Sequence, residues 1–194
     1  MTALGRPIEY DREKAIKSAL DVFWRQGYEA TSMAELCRVT GLSKSTLYAV
    51  FGDKRRMFLD AIQEYSNGLL DELRERYRAA ASPVAFLHDM LHSIAREAGP
   101  GGERRGCLVM NSATEFAQSD RDVARIVRRT LDQMTALFED ALVRGTRQGV
   151  ARTKSSRVTA VFLVSTIAGM KTMVKAGRSQ QELEALADMA MQHV

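Results

Sequence analysis

The sequence predicts an all-α protein: a small N-terminal helix-turn-helix head of three helices on a larger C-terminal helical body, about nine helices in all. Three observations carry that reading. Strand-like alternation is nowhere sustained, whereas apolar residues recur at helical spacing along most of the chain. Prolines occur only at 7, 83 and 100, so long stretches are free of helix breakers. The stretch TSMAELCRVTGLSKSTLYAVFGDK, residues 31–54, reads as two short helices joined by a glycine turn and a basic step into a further helix.

The elements follow in order. The first six residues read as an arm whose only charge is Arg6. Residues 11–26 form a helix with Ala15, Ala19, Leu20, Phe23 and Trp24 on one side, stopped by Gly27. Ser32 and Glu35 have capping-box spacing, and Met33, Leu36 and Cys37 then share a face. Gly41 ends that helix because a tight turn demands a left-handed residue. Ser43 caps the third helix, whose apolar side is Leu47, Val50 and Phe51. Lys44, Ser45, Thr46, Tyr48 and Ala49 remain outward: small polar groups, a cation and a phenol suited to a duplex groove.

Asp53 caps a fourth helix with Met57, Phe58, Ala61, Ile62 and Tyr65 inward, continuing towards Ala81 as a rod shared by head and body. Pro83 opens helix five behind the Ser82 cap. A glycine-rich loop, AGPGGERRG, leads to helix six at Cys107. Asp120 opens helix seven, which Gly145 and Gly149 end. Helix eight spans residues 156–176, and Ser179 with Glu182 forms a second capping box that opens helix nine. The expected domains are residues 1–56, the helix-turn-helix head, and residues 57–194, the helical body, with the boundary inside the fourth helix.

Net charge is only +4, but residues 1–56 carry 10 Lys and Arg against 7 Asp and Glu, while residues 57–194 carry 18 against 17. The excess thus falls mostly where phosphate would be met. Cys37 and Cys107 lie far apart without metal-type spacing, which suits a reducing cytoplasm. No signal peptide is visible, and the apolar run over residues 158–174 is too interrupted by polar residues for a membrane span. No nucleophile elbow, phosphate-binding glycine loop or metal triad points to an enzyme, and no cofactor is expected. His88 and His92 have a spacing that can bind a metal, but no HExxH frame or nearby cysteine accompanies them, so coincidence is favoured and no metal site is expected.

GLSKSTLYAVFGDKRRMFLDAI resembles the signature of the TetR family of bacterial transcriptional regulators, and the resemblance runs from about residue 9 to residue 61. It implies a homodimer that binds double-stranded DNA at a palindromic operator, most often as a repressor released by a small-molecule inducer. Lys44, Ser45 and Thr46 would meet the groove, and Ala49 a thymine methyl. Tyr48 and Lys54 would hold phosphates, Thr31 or Ser32 would add a backbone contact, and Arg6 would reach a minor groove. Ala49 and Val50 stand where many relatives carry a bulky aromatic or a histidine, which leaves the operator sequence open.

The resemblance also implies a ligand cavity and a dimer seam. Candidates for the cavity are Leu70, Phe86, Met90, Met110, Thr114, Met134, Phe138, Phe162 and Met170, with Asn111 and Glu115 as its polar groups. The seam falls to helices eight and nine through Ala160, Ser165, Ala168, Gly169, Leu183, Leu186 and Ala190. Cys107, after two arginines and at a helix start, resembles a Gly-Cys-Leu motif of one branch, where it is either a sensor of electrophiles or oxidants or a packed residue. A helical protein–protein adaptor is the remaining alternative.

Overall fold

The computed structural model describes residues 11–116 and 118–194. Among them are nine helices and no strand: α1 Arg12–Gln26, α2 Met33–Thr40, α3 Lys44–Phe51, α4 Lys54–Ala79, α5 Pro83–Arg96, α6 Leu108–Phe116, α7 Arg121–Arg147, α8 Ser156–Lys175 and α9 Gln180–Met191. The chain divides into two compact units at Glu64 and Tyr65, further along α4 than residue 56. Arg6 lies outside the described residues.

Capping sets most of the helix starts. Asp11, Ser32, Ser43, Ser82, Asp120, Ser155 and Ser179 each accept a backbone N–H of the first turn. Asp53 does the same for α4 through Arg56 N–H at 2.7 Å. The box at Ser179 is reciprocal, since Glu182 accepts from the Ser179 N–H. The one expected at Ser32 is only half made: Glu35 accepts instead from the Gln26 amide at 2.6 Å. That exchange ties the end of α1 to the start of α2.

In the head, the buried face of α1 is Ala15, Ile16, Ala19, Val22 and Phe23, rotated from the expected one; Leu20 and Trp24 are half-buried. Phe23 is fully buried and meets Phe58 edge to face at 5.1 Å. Leu36 of α2 and Leu47 and Phe51 of α3 are buried, as are Met57, Phe58, Leu59, Ala61 and Ile62 of α4. At roughly 1.5–3 kcal/mol per buried large side chain, these residues account for most of what holds three short helices together.

In the body, α5 lies against α7, α8 and α9, and α7 lies along α6 and α8. The core takes Phe86, Leu87, Leu91 and Ile94 from α5, Phe138 from α7, Leu163 and Val174 from α8, and Leu183 from α9. Two buried threonines of α7 cause no polar defect, because Thr130 donates to Ile126 O and Thr135 to Leu131 O. Gly145 does not end α7 as expected, since the helix continues to Arg147. A Cβ there would come within 3.1 Å of Ala151 Cβ and 3.3 Å of Val84 Cγ2, so the glycine serves close packing.

Candidate nucleic-acid interface

The reading surface is built from α2, the turn and α3. Gly41 takes the left-handed conformation, φ 70°, that lets the chain reverse between them. Leu47 and Phe51 anchor one side of α3 in the head, which leaves Lys44, Ser45, Tyr48 and Ala49 exposed. Thr46 is half-buried. The Ser43 hydroxyl lies 2.9 Å from that of Ser45 and 2.8 Å from that of Thr46, so the helix start carries three linked hydroxyls. Such a cluster can turn its protons towards an acceptor without moving backbone.

Tyr48 is 44% exposed although it is one of the larger residues of the head. Lys54, at the start of α4, lays its ammonium over the Tyr28 ring at 4.2 Å and donates to Glu29 O at 3.4 Å. That contact holds the cation beside the α1–α2 turn rather than loose in solvent. Ser32, exposed at the first position of the α2 cap, lies at a second helix N-terminus. Thr31 is different: it is buried, and its hydroxyl donates to Gly27 O at 2.7 Å. Its hydroxyl works inside the head, so a contact through that group is corrected to a structural role. Tyr28, which follows the Gly27 stop, packs back on the head as its position in the sequence suggests: its ring stacks on Phe23, meets Phe58 at a tilt and underlies Lys54, a support for that cation which spacing alone did not indicate.

In the body, Leu70, Phe86, Met90, Met134, Phe138 and Met170 are buried in one core, and the Phe86 and Phe138 rings meet at 5.8 Å. Met110 is half-buried against that core. Asn111 is half-buried, its amide near Arg105 O at 3.4 Å, while Thr114 and Glu115 are exposed. Phe162 does not belong to an interior cavity: it is 41% exposed, with its ring edge to face with His193. Of the expected seam residues, Ala160, Leu183 and Ala190 are buried in the body's own core. They pack the subunit itself and are corrected accordingly. Ser165, Gly169 and Leu186 are exposed and Ala168 is half-buried. Val158, Val161, Phe162 and Met173 of α8 and Met189 of α9 are exposed apolar residues beside them.

Cys107 is buried at the start of α6, where its carbonyl accepts from Asn111 N–H. Burial holds the phenol of Tyr65 well above its usual pKa, and the neighbouring Cys107 thiol adds to the effect. Arg104 donates to Ala98 O, and Arg105 pairs with Glu103 at 2.6 Å.

A helix-turn-helix head with a basic, hydroxyl-rich face, joined to a larger helical body, points to the class of DNA-binding regulators. Residues 15–61 match the family described as bacterial regulatory proteins, tetR family. Residues 83–189 match the C-terminal domain of LmrA/YxaF-like transcriptional regulators. The chain is 31% identical to the HTH-type transcriptional repressor ComR of Escherichia coli (strain K12), over 94% of this chain and 88% of that protein. It is 28% identical to the HTH-type transcriptional regulator YezE of Bacillus subtilis (strain 168), over 81% of each. Among solved structures, a cysteine-substituted form of the TetR-family regulator CifR, complexed with a 26-base-pair operator duplex, superposes with a TM-score of 0.83. It is 25% identical and covers 97% of this chain and 98% of its own. The reduced form of NemR from E. coli, at 16% identity and a TM-score of 0.84, shares the fold over 92% of this chain and 94% of its own.

The chain belongs to the TetR family of bacterial transcriptional regulators, and it is a DNA-binding transcriptional regulator.

Proposed function

We propose that this regulator is a repressor that binds a palindromic operator as a homodimer and is released by a small-molecule inducer. The observation that carries the DNA half is the face of α3 opposite Leu47 and Phe51, where Lys44, Ser45, Tyr48 and Ala49 are all exposed. Lys44 donates to guanine O6 and N7, the hydroxyls of Ser45 and Thr46 read adjacent edges, and Ala49 packs on a thymine methyl. Tyr48, Lys54 and Ser32 hold phosphates and fix the register. Twofold symmetry then sets the half-sites one helical turn apart, roughly 34 Å.

The exposed apolar residues of α8 and α9 supply the dimer seam, with Gly169 leaving room for a neighbouring helix because nothing lies within 4 Å of a Cβ built on it. The inducer parts the Phe86–Phe138 contact and occupies the methionine-lined core, where Met90, Met134 and Met170 adapt their rotamers. It acts only if it prefers the off-DNA geometry. The test is fluorescence anisotropy with a labelled fragment of the chain's own promoter at moderate salt. A specific complex, weakened by Tyr48→Ala with Lys54→Ala, is expected; equal affinity for unrelated DNA would refute the reading.

A second reading, a thiol sensor on the same scaffold, draws on the contact between Tyr65 and Cys107. A phenol beside a buried thiol gives it a hydrogen-bonding partner that alkylation would displace. Under this reading iodoacetamide modifies native protein at Cys107 and abolishes operator binding, and Cys107→Ser is immune. Protein that is alkylated only after unfolding would end it.

A further inference from the structure

The body carries a side-chain cluster that DNA binding does not use. His88 and His92 lie four residues apart on α5, with their rings stacked at 4.2 Å and 30° between planes. Asp188 of α9 comes up beside them, so that one donor atom from each of the three lies within 4.8 Å of the others. Sequence spacing offered only the two histidines; packing of α9 on α5 brings the carboxylate from 96 residues further along.

Two features of the cluster suit a metal ion. His92 Nε2 is enclosed and has no hydrogen-bond partner, one of two such side-chain atoms among the described residues. Yet it lies 3.1 Å from Asp188 Oδ1. The length suits a hydrogen bond but the geometry does not make one, which leaves His92 Nε2 and Asp188 Oδ1 able to take a common third atom. A tetrahedral zinc ion with bonds of about 2.0–2.1 Å spaces its donors about 3.3 Å apart, close to that separation. His88 Nδ1 lies 3.3 Å from Asp89 Oδ1. A carboxylate on one ring nitrogen fixes the tautomer and leaves the other, Nε2, as the ligand, the usual support behind a metal-bound histidine. His88 is half exposed and so has room to turn; its donor atom, within 4.8 Å of the other two, would have to close to about 3.3 Å for a third bond, with solvent at the fourth position.

We propose that His88, His92 and Asp188 bind one divalent transition-metal ion per chain, with zinc the best fit to two imidazoles and a carboxylate in tetrahedral array. The ion would staple α5 to α9. The inference is independent of the operator reading, because it concerns the body alone.

The test uses the untagged full-length protein in metal-free buffer, titrated with zinc chloride against a chromophoric zinc indicator. One zinc per chain at micromolar concentration or below is expected. His92→Ala and His88→Ala should each weaken binding by about 100-fold, and Asp89→Ala, acting through His88, by about 10-fold. His193→Ala and Cys107→Ser should leave it unchanged. The circular dichroism of each variant is checked first; should His92→Ala unfold, the exposed His88→Ala decides. No uptake at micromolar zinc, or uptake that survives His88→Ala, would overturn the proposal, the cluster then being only an imidazole–carboxylate contact.

Discussion

Under the proposed operator reading, two side chains of the head would divide its labour. Lys44 is exposed at the first turn of α3, whereas Lys54 is held over Tyr28 at the first turn of α4. A base reader and a phosphate anchor fail differently. Lys44→Ala is expected to cost about 1–3 kcal/mol on the preferred operator and to relax the preference at one position of each half-site. Lys54→Ala should weaken all duplexes alike and lower the slope of log affinity against log salt by about one for each subunit. Anisotropy titrations at several salt concentrations distinguish the two. Tyr77 offers a test in the body. Its hydroxyl donates to Asp140 at 2.9 Å, and burial followed by that carboxylate raises its pKa to about 12 from 10.0. The folded state holds this proton more tightly than the unfolded one. Its contribution is therefore complete below pH 10.0 and is lost as pH rises towards about 12. Urea unfolding of Tyr77→Phe should show a shallower alkaline loss than that of the unaltered protein.

Helix ends were the part of the fold most legible in the sequence, because a cap is local chemistry. Ser32, Ser43, Asp53, Ser82, Asp120 and Ser179 all cap where their spacing indicates. Ser179→Ala is expected to cost about 1 kcal/mol. The Ser179 N–H and then its hydroxyl hold the Glu182 carboxyl below its usual pKa of 4.5. The contribution of that carboxylate is present above pH 4.5 and is lost as pH falls through the lowered value, which acid titration of Glu182→Gln would show. What lay outside local reach depended on tertiary packing. Gly145 looked like a helix stop and instead admits Val84 and Ala151. Gly145→Ala should lower Tm, because crowding of about 1–3 kcal/mol outweighs a helix-propensity gain of about 1 kcal/mol. Three of the residues expected in the α8 and α9 seam depend on packing in the same way. Small and apolar residues suit either neighbour, and Ala160, Leu183 and Ala190 turned out to face the subunit's own core. Asp188 beside His92 is a further case, since no spacing links α5 to α9.

At the scale of the whole molecule, the helix-turn-helix head and the larger helical body are separate compact units, and the residues of α4 belong partly to each. As a candidate, the reading face was legible because its chemistry is contiguous in sequence: caps, turn and outward residues all fall within residues 31–54. The effector site was not, because its candidate lining is ordinary apolar core whose chemistry names no ligand. The central claim is that one head is presented twice, by twofold symmetry, to successive major grooves. Selection of the full-length protein on a random-sequence duplex library, followed by sequencing of bound DNA, tests it most directly. The account predicts enrichment of an inverted repeat with half-sites centred about 10 base pairs apart or a multiple of that. Enrichment of a single asymmetric half-site, or of no sequence, would contradict it.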